Sequence, residues 1–345
     1  MDLTHFDITQ AEREAGSLAP SKLAQLRDSF ETNGYAVVSG LISAETCDLL
    51  LQSVLEDVAH IRTRPEPTLH EQRTGIGHLQ LGLRRYAPYV KSDLVANPLI
   101  ESIIIELLGA GAWLGFYNGN VNCPGSGFQP LHLDRPFAWK SAEEAAAAGQ
   151  PWPPPTITVS CSVALFDITE ANATEIYPGT HRETAVIEWP RGDRPEYHPD
   201  LIEKWGPSGS MTIPAGGICF RDPRMWHRGV ANQSDRVRPM IGLTYHSGLA
   251  KHWKGLLTPD MTEDQALRCA ADPTLRMMND GTLGDGRLVF DSSVQDVFDS
   301  AENPHNIDRN VRFADAAQTV NHFVDAHLLG GARVVPKGQI TPYPD

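Results

Sequence analysis

His132 and Asp134 stand two residues apart, flanked by Leu131 and Leu133. In an extended chain, side chains alternate between faces, so this imidazole and this carboxylate point the same way. Such a pair can grip a divalent metal ion from one side. A second imidazole would complete a set of two histidines and one carboxylate, which leaves open positions on a non-heme ferrous ion. The best candidate is His227, 95 residues further on, in the run Trp226-His227-Arg228-Gly229. With 13 His and 43 acidic residues in the chain, a His-x-Asp pair alone is a weak signal. The competing reading is a histidine satisfied by core or surface neighbours, and the downstream residues weigh against it.

The chain of 345 residues, 41% hydrophobic, is long enough for a sizeable core. Its net charge of −14 argues against nucleic acid or an anionic membrane as partner. The five cysteines, Cys47, Cys123, Cys161, Cys219 and Cys269, form no CxxC pair, so neither a disulfide framework nor a thiolate zinc site is expected. No run of about 18 apolar residues suggests a membrane span. The N-terminus lacks the basic and apolar pattern of a signal peptide, and the C-terminus carries no peroxisomal or reticulum address. A cytoplasmic protein acting on a small molecule is the expectation, and a homodimer is compatible with the sequence.

Residues 20–33 read as a helix, with Leu23, Leu26 and Phe30 on one face and Gly34 ending it. Residues 35–39 read as a short strand. Ser43 suits the N-cap of a helix through Ile61, with Cys47, Leu51, Val54 and Val58 on one stripe. Residues 62–91 read as loop. Asn97 and Pro98 open another helix, ended by Gly109. From Trp113 the period changes to two, which puts Asn118, Asn120 and Asn122 on one face. Three amides are costly to bury without partners, so that face is either wet or lines a polar site. Residues 123–127 turn into a strand bearing His132 and Asp134. Strands are also expected over 157–168 and 239–246. A turn lies between strands in 211–220, and Asn172 suits a left-handed turn position. Residues 138–156 and 190–209 read as insertions, either of which would serve as a lid, and 314–329 as a late helix. No linker divides the chain. A single domain over 1–345 is expected, with its core at about 30–250 and a helical and loop extension over 251–345. Many short strands behind a helical N-terminal part point to a β-sandwich or barrel with helices outside.

Four patterns recur in one order: His132-x-Asp134; Asn172 through Pro178-Gly179-Thr180-His181; Trp226-His227-Arg228-Gly229; and Arg238, eleven residues after His227. Together they resemble the phytanoyl-CoA dioxygenase family of Fe(II)- and 2-oxoglutarate-dependent oxygenases, over roughly residues 30–250. Residues 117–126 and 220–229 are similar to the branch acting on small polar natural products such as aminoglycosides. The family usually has glycine where this chain has Asn172.

The resemblance implies a double-stranded β-helix, or jelly-roll, with His132, Asp134 and His227 as iron ligands. Arg238 would anchor 2-oxoglutarate, because its planar fork offers a carboxylate two parallel hydrogen bonds where lysine offers a point charge. Arg236 is its nearby competitor. Asn120 and Gln129 become candidates for touching 2-oxoglutarate, and Tyr117, Phe137 and Trp139 for facing the substrate, with core packing the alternative for each aromatic. The implied cosubstrates are 2-oxoglutarate and O2, and hydroxylation is the simplest outcome. Chlorinating relatives carry a small residue in place of the carboxylate, so Asp134 implies oxygen-derived chemistry. A metal-dependent hydrolase or isomerase, or a non-catalytic metal-binding jelly-roll, are the rival readings.

Overall fold

The structure is a computed structural model that describes residues 4–247 except 63–70, 72–74, 82–90, 96, 111, 135–136, 138, 140 and 185–202. Ten strands occur among the described residues: β1 (His5–Asp7), β2 (Tyr35–Ser39), β3 (His78–Leu81), β4 (Trp113–Asn122), β5 (Thr158–Ala164), β6 (Thr174–Ile176), β7 (Gly209–Met211), β8 (Ile218–Arg221), β9 (His227–Gly229) and β10 (Arg238–His246). Seven form a large sheet in the order β1-β2-β8-β5-β10-β4-β3, and three form a small sheet, β7-β6-β9. The crossovers implied by that order wind the chain between two facing sheets, the double-stranded β-helix or jelly-roll architecture.

Local chemistry sets the helices that brace this frame. Pro20–Asn33 begins with proline and ends at Gly34, whose φ of 85° suits glycine and whose N–H donates to Phe30 O at 2.8 Å. Ser43 Oγ accepts from Thr46 N at 3.2 Å and caps the helix Ala44–Ile61. Asn97 Oδ1 accepts from Leu99 N at 2.9 Å at the head of Pro98–Leu108. No described helix is long and apolar enough to cross a membrane. The four described cysteines are free and buried.

Alternation along the strands gives the large sheet two different faces. One carries Val38, Phe220, Val163, Leu243 and Val121, packed with Leu26, Phe30, Leu50, Val54, Ile100 and Ile103 of the helices. The other carries Val37, Cys219, Ala164 and Met240, which meet Ile176, Met211 and Ile213 of the small-sheet side. Beyond that second cluster the inner face turns polar. Register sets Arg238, Met240 and Gly242 of β10 beside Asn122, Asn120 and Asn118 of β4, with His78 and Gln80 of β3 next. A Cβ on Gly242 would fall 2.2 Å from Asn118 Oδ1, so glycine is what lets that amide lie across the sheet.

The loop expected over 62–91 contains β3, an edge strand hidden in a stretch rich in Arg and His. The strand expected over 157–168 stops at Ala164, and Ile168 instead makes an isolated bridge to Ile213. Its apolar residues continue because Leu165 and Ile168 are buried, not because pairing continues. The segment 138–156 holds a short helix, Ala142–Ala147, capped by Ser141. Most of 190–209, the helix at 314–329 and the extension over 251–345 lie outside the described residues.

Asn97 joins three elements, because its Nδ2 also donates to Leu41 O and Asp93 O, each at 2.9 Å. Asn97→Ala is expected to cost about 2 kcal/mol, from a lost cap and two carbonyls left short of a donor. Urea unfolding measures it, and a loss below about 0.5 kcal/mol would contradict this role.

Candidate metal centre

The segment Gln129–Asp134 runs antiparallel beside 223–229. Gln129 N donates to Gly229 O at 2.8 Å, and Gly229 N returns a bond to Gln129 Oε1 at 2.8 Å. His132 and His227 exchange both backbone hydrogen bonds at 2.9 Å, and Asp134 N donates to Pro223 O at 2.8 Å. The strand expected here is reduced to a single bridge at His132, with Asp134 at a bend. That bridge sets the two imidazoles side by side, with ring centroids 4.3 Å apart.

Three side chains converge from this scaffold. His132 Nε2 lies 3.7 Å from Asp134 Oδ1, and His227 Nε2 lies 3.4 Å from Asp134 Oδ2. One donor atom from each of the three falls within 4.8 Å of the others, the one such cluster found among the described residues. Each ring has its Nδ1 near the carbonyl two residues earlier, Pro130 O at 2.8 Å for His132 and Met225 O at 2.9 Å for His227. With Nδ1–H donating there, each Nε2 keeps its lone pair turned inward. This is the tautomer that metal ligation needs, held by a backbone acceptor behind the ring. Two imidazole nitrogens and a carboxylate within this span suit a first-row divalent ion with open positions.

Arg221 sits behind the cluster and was not singled out by the sequence reading. Its side chain is 7% exposed, and its Nη2 donates to Asp134 Oδ2 at 2.6 Å. Its Nη1 lies 3.1 Å from His227 Nδ1. One ring nitrogen cannot both donate to Met225 O and accept from Arg221. In the ligating tautomer the proton goes to Met225 O, and Asp134 alone holds Arg221. The signal in the sequence was a charge closing the otherwise apolar strand β8, since a buried guanidinium demands a partner.

Electrostatics keeps the His132 ring neutral and the Asp134 carboxylate charged. Desolvation, then the neighbouring His227, push His132 down to about 4. Desolvation by the side chains crowded around it works against ionising Asp134, but His227 and Arg221 outweigh it and hold the carboxyl well below its ordinary range.

Arg238 lies on the same inner face of the large sheet, opposite Asn122, and is 3% exposed. Desolvation lowers it to about 10. Its Nε donates to Asn172 O at 3.0 Å, and among the described residues no carboxylate pairs with it. Asn172 closes its own turn, its Oδ1 accepting from Thr169 N at 3.1 Å. Arg236 is exposed, its guanidinium 4.4 Å above the Phe166 ring. Asn120 is exposed on the inner face beside Met240. Gln129 has its amide oxygen committed to Gly229, so it fastens the His132 segment in place. Tyr117 pairs in register with Leu243 of β10. Phe137 is buried, with the Arg224 guanidinium 5.4 Å from its ring centre. Trp139 is partly buried beyond it. Arg224 also donates to Asp222, to Pro154 O at 2.8 Å and to Thr156 Oγ1 at 2.8 Å. The far end of the expected lid, 154–156, is thus fastened beside the turn that leads into His227.

The sequence profile described as phytanoyl-CoA dioxygenase (PhyH) matches residues 30–240. The chain is 27% identical to an ectoine dioxygenase of Bordetella parapertussis over 250 residues, covering 67% of this chain and 78% of that one. It is 25% identical to the dioxygenase trt7 of Aspergillus terreus over 238 residues, covering 66% and 73%. Among solved structures, it is similar to the epimerase SnoN in complex with Fe3+, α-ketoglutarate and nogalamycin RO, at 21% identity and a TM-score of 0.47, covering 66% and 85%.

In metal-free protein, the His132 ring is expected to titrate near 4 when its imidazole signals are followed by NMR. A histidine whose folded value is depressed resists protonation in the fold. The stability it lends is full above its unfolded value of about 6.5 and is lost as pH falls toward 4. A ring titrating near 6.5 would contradict the desolvated setting.

Proposed function

The chain belongs to the phytanoyl-CoA dioxygenase family, and from that membership we propose that it oxidises a small polar organic molecule, most simply by hydroxylation, at His132, Asp134 and His227. It is a 2-oxoglutarate-dependent dioxygenase using Fe(II) and O2. The bound ion supplies the coupling of 2-oxoglutarate decarboxylation, giving succinate and CO2, to oxidation of the second substrate.

The observation that carries the site assignment is the inward convergence of two Nε2 atoms on one carboxylate. His132 and His227 offer their Nε2 atoms, with the opposite ring edges tethered to carbonyls. Asp134 adds the charge, and the three together would hold the ion. Arg238 is the anchor for the distal carboxylate of 2-oxoglutarate. Its Nε is committed to Asn172 O, which leaves its two terminal nitrogens as a fork. A buried guanidinium without a countercharge is costly, and a dicarboxylate cosubstrate answers that cost. Arg236, exposed over Phe166, lacks that need. The amides of the inner face favour a polar substrate, and the name of the Bordetella relative, ectoine dioxygenase, is consistent with one.

His132→Ala or His227→Ala is expected to abolish turnover and lower Fe(II) affinity at least tenfold, while the far-ultraviolet circular dichroism is kept. Full activity of either variant at limiting iron would sink the ligand assignment. Arg238→Lys is expected to raise the 2-oxoglutarate requirement about tenfold or more, since a charge-assisted fork contributes about 1.5–3 kcal/mol. If Arg236→Lys has that effect and Arg238→Lys does not, the anchor is the other arginine.

A further inference from the structure

Asp134 stands at a bend, with 40% of its side chain exposed, so its own segment does little to fix the rotation of its carboxylate. Arg221 does. It closes β8, which lies inside the large sheet between β2 and β5, with Tyr35 and Ser160 as its register neighbours. From that rigid base its Nη2 reaches Asp134 Oδ2 at 2.6 Å, a contact spanning 87 residues of sequence. Among the described residues Asp134 is the carboxylate with which Arg221 pairs. The other oxygen, Oδ1, faces His132 Nε2 at 3.7 Å and is free of Arg221, while Oδ2 also lies 3.4 Å from His227 Nε2.

We propose that Arg221 is a positioning residue that holds Asp134 to one-oxygen ligation, its guanidinium occupying Oδ2 and leaving Oδ1 for the metal. The inference rests on the metal-site reading above and goes beyond it. A carboxylate can grip a divalent ion with one oxygen or with both. One-oxygen ligation gives three protein positions and leaves three, enough for the two ends of a chelating 2-oxo acid and for O2. A two-oxygen grip takes a fourth position and leaves two, so the chelate loses its choice among open positions and competes with Oδ2, and O2 is left without a place. Arginine suits the task because a nitrogen of its planar fork meets the carboxylate edge at a fixed angle, and its burial in β8 denies it other geometries. Partners behind a ligand, set in this way, tune the site as much as the ligands themselves.

The test uses Mn(II) and 2-oxoglutarate with the full chain by anaerobic calorimetry, comparing wild type, Arg221→Met and Arg221→Lys, with melting of the metal-free forms alongside. Methionine fills a similar volume without charge or donor, whereas lysine keeps a donor for Oδ2. The expected result is that Arg221→Met still binds Mn(II) and melts within a few degrees of wild type. Its metal-loaded form binds 2-oxoglutarate about tenfold or more weakly, and Arg221→Lys recovers most of that loss. Unchanged 2-oxoglutarate affinity in Arg221→Met overturns the proposal. So does parallel loss of Mn(II) binding and melting temperature without recovery by lysine, which would make Arg221 a packing residue only. A wild type that binds no 2-oxoglutarate in a metal-dependent way overturns the metal-site reading itself. Normal binding by wild type beside an unaffected methionine variant overturns this inference alone.

Discussion

The paired backbone hydrogen bonds between His132 and His227, each 2.9 Å, are the constraint on which the site depends. They tie a segment outside the regular sheets to β9, and through β9 to β6 and β7. Neither imidazole is steered into place by its own side-chain contacts alone. The backbone bridge sets them abreast, and the carbonyls of Pro130 and Met225 then select the ring atom that faces inward. Gln129 extends the same pairing by one further register through Gly229. A fold that made this bridge and misplaced everything else would still hold two convergent nitrogens; without the bridge the nitrogens would have no common centre.

The large sheet supplies what the bridge does not. Its helix-facing side is uniformly apolar and carries most of the core. Its inner side is divided. An apolar cluster around Ile176, Met211 and Met240 glues the sheets together, and a polar remainder carries Arg221, Arg238 and the asparagines of β4. Buried cations are tolerated only where anions meet them. Arg221 has Asp134. Arg238, held at its Nε by Asn172, pairs with no carboxylate among the described residues. The two arginines of the inner face thus differ: one meets the protein's own carboxylate, and the other is the anchor proposed for a cosubstrate's.

How far this was legible in the sequence follows from how local each signal is. Pro20, Gly34, Asn97 and Pro98 punctuate helices through their own backbone preferences, and the helix bounds follow them. β3 was missed because an edge strand of four residues among charges carries almost no periodic signal. The strand after residue 157 was drawn too long, because burial at Leu165 and Ile168 imitates pairing. The meeting of His132, Asp134 and His227 was legible because their order and spacing, together with the motifs around them, match a family's pattern. Arg221 was not, since its meaning lies in a contact 87 residues away. The sequence points Gln129 toward 2-oxoglutarate, whereas its amide oxygen accepts from Gly229 N, a pairing that only the three-dimensional register reveals.

The central claim is that this centre couples 2-oxoglutarate to O2 through Fe(II). Its most direct test is succinate formation by anaerobically Fe(II)-loaded protein after O2 is admitted, with Zn(II)-loaded protein as the control and a library of polar small molecules as second substrates. The account predicts succinate that requires Fe(II), 2-oxoglutarate and O2 together and that accelerates with a matching substrate. Fe(II)-loaded protein that binds 2-oxoglutarate but releases no succinate on oxygenation, or that releases it equally with Zn(II), would contradict it.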